Sequence, residues 1–106
     1  MSFDQNTAAI ALSALGHEMR LRIFRLLVRA GDDGLSVGDI GAHIGMPAST
    51  LAHHLSALVQ AGLVVQERQG RIVFNRVDYT RMQALIAFIS DECCVGVKQS
   101  RMESVA

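Results

Sequence analysis

Hydrophobic positions recur with the period of an α-helix over much of the first sixty residues of the chain. In residues 19–30 the apolar side chains fall three and four positions apart on one stripe, and Arg22, Arg25 and Arg29 share the opposite face. Residues 7–15 are apolar on nearly every side, so they must be covered, most simply by another subunit. Residues 79–94 return to helical spacing with a broad apolar stripe, and they are too apolar to face water alone. The pattern predicts one amphipathic helix and two helices with a wider hydrophobic surface.

Two further helices are expected in the middle of the chain. Ser36 can cap a short helix that carries its apolar residues on one stripe and ends at Gly45. Pro47 suits the first turn of the next helix, which is expected to run to about Ala61. Gly41 lies four residues before Gly45 and allows the two helices to approach closely. This pair has the form of a helix-turn-helix.

Beyond Gly62 the hydrophobic period shortens from that of a helix to that of a strand. Residues 63–68 and 71–77 are rich in Val, Ile and Phe, and Gln69 and Gly70 lie between them. This predicts a β-hairpin with a basic residue on each side of its tip. The expected fold is therefore mainly α with a β-hairpin wing, in the order α-α-α-α-β-β-α of a winged helix-turn-helix.

Charge and composition limit the size and class of the protein. Ten basic and ten acidic residues give a net charge of zero, and half of the 106 residues are hydrophobic, which is typical of one globular domain. Residues 1–96 are expected to form that domain and residues 97–106 a flexible tail. A small domain with uncovered apolar helices favours association, so we expect a homodimer built through the first and last helices.

The sequence carries no recognisable signal for secretion or membrane insertion. The first five residues lack the basic flank and apolar core of a signal peptide. Residues 40–66 contain no Asp, Glu, Lys or Arg, but the His, Pro and Gly residues among them argue against a membrane helix. The two cysteines are adjacent and do not form a disulfide framework. We therefore expect a cytoplasmic protein that has no membrane partner.

The second helix of the helix-turn-helix has a neutral polar outer face. Its leucines point inward at helical spacing. The outer face that remains consists of Ser49, Thr50, His53, Ser56 and Gln60. A carboxylate there would repel phosphates, so a face without one suits the major groove of double-stranded DNA. Arg68 and Arg71 at the wing, with the arginines of the second helix, would bind phosphates. The alternative is a helical domain whose polar face meets only solvent.

Three segments carry a resemblance to a known family. They are residues 14–27 (ALGHEMRLRIFRLL), residues 49–55 (STLAHHL) and residues 61–64 (AGLV). Together they resemble the ArsR/SmtB family of winged-helix repressors, and the resemblance extends over roughly residues 8–96. It implies a dimer that binds operator DNA and leaves it when a metal, a metalloid or another inducer binds.

The resemblance also implies which residues meet DNA. Carried over position by position, the DNA-facing residues are Ser49, Thr50, His53 and His54, with Arg68 and Arg71 on the backbone. For His54 the alternative is a histidine on the flank of the helix that bonds to a neighbouring segment of the chain.

The two inducer sites that are common in this family are missing from the sequence. Where arsenite sensors of the family carry Cys-Val-Cys-Asp, this chain has Ser-Val-Gly-Asp at residues 36–39. Residues 79–106 contain no histidine for a zinc site on the last helix. Cys93 and Cys94 remain, and they resemble the vicinal cysteine pair of a third, arsenic-sensing subgroup. Thiolates select soft thiophilic centres rather than Mg²⁺ or Ca²⁺.

The number of thiols bears on the identity of the inducer. Inorganic arsenite prefers three thiolates, but Cys93 and Cys94 are the only cysteines of the chain. A trivalent arsenical that already carries one carbon substituent, such as methylarsenite, needs only two. We therefore expect arsenite or methylarsenite to release the repressor from DNA, with antimonite as a further candidate. For arsenite, water or a cysteine of the other subunit would supply the third ligand. No resident cofactor is expected.

Other interpretations stay open. The thiols could form a redox switch that responds to peroxide, although a helix C-terminus disfavours the thiolate. They could instead be two small buried hydrophobes of a dimer interface. A thiol enzyme would need a resolving cysteine at workable spacing and a nearby base, which the sequence lacks, so we expect no enzymatic activity. A pure protein-interaction module is the remaining alternative.

Overall fold

The computed structural model describes residues 3–97, which form five α-helices and a three-stranded antiparallel sheet. The helices are α1 (Gln5–Leu15), α2 (Glu18–Ala30), α3 (Val37–Ile44), α4 (Ala48–Gln60) and α5 (Tyr79–Ser90). The strands are β1 (Leu35–Ser36), β2 (Val64–Gln69) and β3 (Ile72–Val77). The predicted order of four helices, a hairpin and a last helix is confirmed, and the fold is a winged helix-turn-helix.

Side chains at the helix starts decide where the helices begin. Asp4 accepts a hydrogen bond from the Thr7 amide at 2.8 Å, so α1 begins two residues before the predicted start. Ser36 accepts one from the Asp39 amide at 3.1 Å and caps α3 as predicted. At the other end of α3, Gly45 adopts φ +77°, the left-handed conformation that suits a helix-ending glycine.

The wing contains one strand more than the sequence predicted. The strands lie in the order β1-β3-β2, and β1 pairs Leu35 with Asn75. A strand of two residues is too short for an alternating pattern to be recognised, so the sequence did not predict β1. Gln69 pairs with Ile72, which moves the hairpin loop by one residue to Gly70 and Arg71. Gly70 takes φ +66° at the first loop position, where glycine carries no steric penalty.

The core lies where α2, α3 and α4 meet the base of the wing. Its fully buried side chains are Ile23, Leu27, Ile40, Leu51, Leu55, Leu58, Leu63 and Asn75. Three of them are the leucines of α4 that were predicted to point inward. Their burial leaves the opposite face of α4 free for other contacts.

The first and last helices bury little of their apolar surface in this chain. In α1 only alanines are buried, while Ile10 and Leu12 are about half exposed. In α5 only Leu85 is buried, and Ile86 and Ile89 are more than half exposed. The expectation of uncovered apolar surface on these two helices is confirmed.

The last helix is shorter than predicted. It ends at Ser90 rather than near residue 94, because Asp91 turns to an extended conformation at ψ 137°. The predicted tail, residues 97–106, lies outside the described residues except for Val97. None of the described helices is long and apolar enough to cross a membrane.

Candidate nucleic-acid interface and thiol pair

The helix-turn-helix presents the outer face of α4 to solvent. The side chains exposed on this face are Ser49, Thr50, His53, Ser56 and Gln60. Pro47 precedes α4 and no side chain caps the first turn, so the amide N–H groups of that turn stay open for an outside acceptor. The predicted outer face is therefore exposed as expected, and its contact with DNA remains a prediction.

A close approach of backbone fixes how α4 leaves α3. The carbonyl of Gly41 accepts from the amides of Gly45 and Met46, at 2.7 and 3.3 Å. A Cβ atom at Gly41 would lie only 3.2 Å from the carbonyl oxygen of Met46. A side chain at this position would crowd the tight turn that sets the direction of α4, which agrees with the glycine noted in the sequence.

His54 does not lie on the exposed face, and the structure corrects that expectation. Its side chain is 8% exposed and packs against α2. Arg20 Nε donates a hydrogen bond to His54 Nδ1 at 3.3 Å, and the His17 ring lies 4.9 Å away between centroids. The helical rotation of about 100° per residue that turns His53 outward turns His54 toward the neighbouring helix. The alternative of a flank histidine bonded to another segment is the one the structure adopts.

Burial lowers the pKa of His54 below its ordinary value. Desolvation is the largest cause, and His17, Arg20 and His53 add to it because each is a cation or can become one. The ring is therefore neutral near pH 7, which agrees with an unprotonated Nδ1 that accepts from Arg20.

Two arginines lie at the tip of the wing. Arg68 lies near the end of β2 and Arg71 in the hairpin loop, and both are exposed. Within residues 3–97 the wing's ion pair joins Arg76 to Glu67 at 3.2 Å, and neither tip arginine has an acidic partner. Their contact with phosphates stays a prediction.

The arginines of α2 divide into two groups. Arg20 lies beside α4. Arg22, Arg25 and Arg29 line a cleft of about 470 Å³ between α2 and α3, together with Glu18, His43 and apolar side chains. The sequence predicted one shared face for these three arginines, and the structure places them together; their binding to phosphates stays a prediction. Of the α2 arginines, Arg20 is the one that bonds to a side chain of α4 among residues 3–97.

Cys93 and Cys94 lie in a turn just after α5, and both are exposed. Their Sγ atoms are 3.1 Å apart. The residues are not helical, because Glu92 and Cys94 adopt φ +58° and +65°, so the sulfurs converge instead of pointing about 100° apart as on a helix. The interpretation as two buried hydrophobes does not describe them within this chain.

The two thiols influence each other. The pKa of Cys93 is raised above its ordinary value, first because the thiol shares a hydrogen bond with Cys94 and second through slight desolvation. Within the described part of the chain, no third His, Cys, Asp or Glu joins them in a group that could hold a metal ion. The site on one chain consists of two sulfurs.

The sequence analysis did not identify Arg20 as a hydrogen-bond partner of α4. Arg20 and His54 are 34 residues apart, and no local pattern links positions at that distance. The only signal in the sequence was the position of His54 one residue beyond the outer face.

Comparisons with known proteins agree with this geometry. A family model for a helix-turn-helix domain matches residues 15–67. The transcriptional activator HlyU of Vibrio cholerae is 31% identical over 94 residues, which cover 89% of this chain and 84% of HlyU. The putative arsenical resistance operon repressor ArsR2 of Halobacterium salinarum is 39% identical over 59 residues, or 56% of this chain and 49% of that protein.

Solved structures extend the likeness to nearly the whole fold. HlyU from Vibrio cholerae is similar with a TM-score of 0.69 and 30% identity, over 89% of this chain and 99% of that one. The structure described as reduced HlyU has a TM-score of 0.66 and 30% identity, over 84% of this chain and 90% of that one. A third structure is the homodimeric winged helix-turn-helix domain Mb0332 of Mycobacterium bovis, described as a possible ArsR-family regulator. It has a TM-score of 0.65 and 29% identity, over 90% of this chain and 89% of that one. These relatives are regulators rather than enzymes, which confirms the expectation of no enzymatic activity.

Proposed function

The chain belongs to the ArsR/SmtB family of DNA-binding winged helix-turn-helix transcriptional regulators, and on that premise we propose that it is a dimeric repressor that a trivalent arsenical releases from its operator. The observation that carries the proposal is the pair of exposed thiols, Cys93 and Cys94, whose sulfur atoms lie 3.1 Å apart. The inducer binds there, and the reading surface is α4 with the wing.

On this surface, different side chains position the protein on the DNA backbone and recognise the base sequence. Ser49, Thr50, His53 and Ser56 carry hydrogen-bonding groups on the exposed face of α4, which suits base edges in the major groove. Arg68 and Arg71 lie on the wing and bind phosphates. Since the net charge of the chain is zero, attraction to DNA comes from this local cluster.

A second copy of the chain covers α1 and α5. Their exposed residues Ile10, Ile86 and Ile89 would otherwise leave a hydrophobic patch in water. The description of Mb0332 as homodimeric supports this arrangement. A two-fold dimer presents two copies of α4 to half-sites about one helical turn of DNA apart.

The chemistry of the thiol pair fits a trivalent arsenical that has one carbon substituent. Such a compound in water carries two hydroxyl groups. Each thiol gives its proton to one departing hydroxyl, so two As–S bonds form and two water molecules leave. One atom can bond to both sulfurs only if the sulfurs lie close together, and their observed separation of 3.1 Å meets that condition.

The position of the thiols supplies a route from inducer to DNA. They follow α5 directly, in a turn with left-handed backbone at Glu92 and Cys94. A ring closed through arsenic constrains that turn and shifts the end of α5, which lies in the proposed dimer interface. A change in that interface alters the spacing of the two reading helices and so lowers the affinity for the operator.

The test is a titration of the operator complex with arsenite, methylarsenite and Zn²⁺. Methylarsenite is expected to release the wild type at least as well as arsenite, while Cys93→Ser and Cys94→Ser bind DNA and ignore both. Ser90→Ala, a change four residues or fewer from both thiols, serves as the matched control and responds like the wild type. If an arsenical still released the variant that carries both substitutions, Cys93 and Cys94 would not be the inducer site.

A thiol redox switch is the second candidate. The convergent sulfurs and the likeness to a protein described as reduced HlyU favour it. Two thiols and one hydrogen peroxide would give a disulfide and two waters. The raised pKa of Cys93 leaves less of the reactive thiolate, so we rank this candidate second. Release of the wild type by peroxide, reversed by a dithiol reductant, would favour it over arsenic sensing.

A further inference from the structure

The helix that is proposed to read DNA is tied to α2 by one polar side-chain contact. Among residues 3–97, the hydrogen bond from Arg20 Nε to His54 Nδ1 is the one that a side chain of α4 makes, at 3.3 Å. Both groups are removed from bulk water, since His54 is buried and Arg20 is half-buried. The neighbouring residue, His53, lies on the reading face.

This contact exists only while His54 is neutral. An imidazole nitrogen accepts a hydrogen bond when it carries no proton, and both nitrogens become donors once the ring is charged. A proton on Nδ1 would therefore break the bond and set a second cation against the Arg20 guanidinium. The hydrogen bond would then be replaced by repulsion.

Within residues 3–97, the charged and titratable groups that shift the titration of His54 all oppose its protonation. His17, which caps α2, and Arg20 of α2 face it from one side, and His53 faces it from α4; the ring centroids are 4.9 Å away for His17 and 5.9 Å for His53. The helix α1 also packs on α4 and has no titratable side chain. No carboxylate is among the groups that shift the ring's titration.

We propose that His54 is a positioning residue which, as a neutral acceptor for Arg20, holds α4 at the angle at which its exposed face enters the major groove, so that protonation of His54 weakens operator binding. The inference rests on the proposed placement of α4 on DNA. It predicts that operator affinity falls in mildly acidic solution even though added positive charge generally favours DNA binding.

The decisive comparison is between the wild type and His54→Asn. The Oδ1 atom of asparagine is as many bonds from the backbone as Nδ1 of histidine, so it can accept from Arg20 but does not titrate. We expect His54→Asn to bind within about threefold of the wild type at pH 7.5. From pH 7.5 down to 5.5, at constant ionic strength, the wild type should lose affinity that this variant keeps. Because the pKa of His54 is lowered, the loss should begin below the ordinary histidine value of about 6.5.

Two further variants complete the experiment. His54→Ala removes the acceptor and should bind weakly at both pH values. His43→Asn removes an exposed histidine of α3 and should keep the pH profile of the wild type. Circular dichroism at both pH values checks that each variant is folded.

The outcomes separate this inference from the proposed function. If the wild type binds operator and shares its pH profile with His54→Asn, the positioning role is overturned while DNA reading by α4 stands. If substitutions at Ser49 and His53 leave sequence preference unchanged, the placement of α4 on DNA fails and this inference fails with it. A fall in affinity at low pH in the wild type and His43→Asn, but not in His54→Asn, supports the proposal.

Discussion

At the scale of single residues, Asn75 joins all three strands of the wing. Its side chain is fully buried, accepts from Gln66 Nε2 at 2.8 Å and donates to the carbonyl of Leu35 at 3.2 Å. Because a buried polar group is costly unless it is paired, this residue stabilises the wing only while both partners are present.

Replacing Asn75 by Ala should lower the free energy of unfolding by about 2 kcal/mol, since the carbonyl of Leu35 then loses its side-chain donor and a small cavity forms. Chemical denaturation followed by circular dichroism measures the change. Asn6→Ala, at an exposed position of α1, is the matched control and should change the free energy by less than about 0.5 kcal/mol. Equal effects at both positions would contradict the assigned role of Asn75.

At the scale of elements, α4 and the wing are proposed to contact DNA in different ways. The wing has charged groups at its tip and no acidic residue paired with them among residues 3–97. The outer face of α4 has neutral groups that can form directional hydrogen bonds. Affinity and sequence preference should therefore respond to different substitutions.

Arg71→Ala should weaken binding to all DNA sequences alike and reduce the slope of log affinity against log salt by about one. Ser49→Ala or His53→Ala should instead relax sequence preference, at about 1–3 kcal/mol for each lost base contact. Fluorescence anisotropy on the operator and on scrambled DNA, at several salt concentrations, distinguishes the two effects. The assignment is wrong if Arg71→Ala changes specificity and His53→Ala changes nothing.

At the scale of the whole molecule, the uncovered apolar surface of α1 and α5 explains why the chain is proposed to act as a dimer. Most large side chains of these helices point away from their own core. The thiol pair follows α5, so the proposed inducer site lies beside the proposed dimer interface. Dissociation of the dimer should therefore abolish operator binding.

Ile89→Asp should convert the dimer to a monomer, because the interface would bury an unpaired charge. Sedimentation at micromolar concentration measures the oligomeric state. Ile72→Asp is a matched control, since Ile72 on the wing is 49% exposed and Ile89 is 59% exposed. The control should remain dimeric, and a wild type that sediments as a stable monomer would contradict the proposed interface.

The sequence by itself determined the type and order of the long elements and the outer face of α4. Helical and strand periods are local properties, read from neighbours within one or two turns, and Ser36 and Gly45 mark the ends of α3 in the same local way. For this reason the winged helix-turn-helix and the exposure of Ser49 and His53 could be predicted before any contact was known.

Only the tertiary structure decided the contacts that join distant positions. Strand β1 exists because Leu35 pairs with Asn75, and His54 is buried because Arg20 and His17 lie against it from another helix. The cysteines likewise lie in a turn rather than on α5. The strand β1 and the burial of His54 depend on packing between segments far apart in the chain, which a pattern of neighbouring residues does not contain. The turn at the cysteines is held by local hydrogen bonds, such as that from the Cys93 amide to the carbonyl of Ser90 at 3.0 Å.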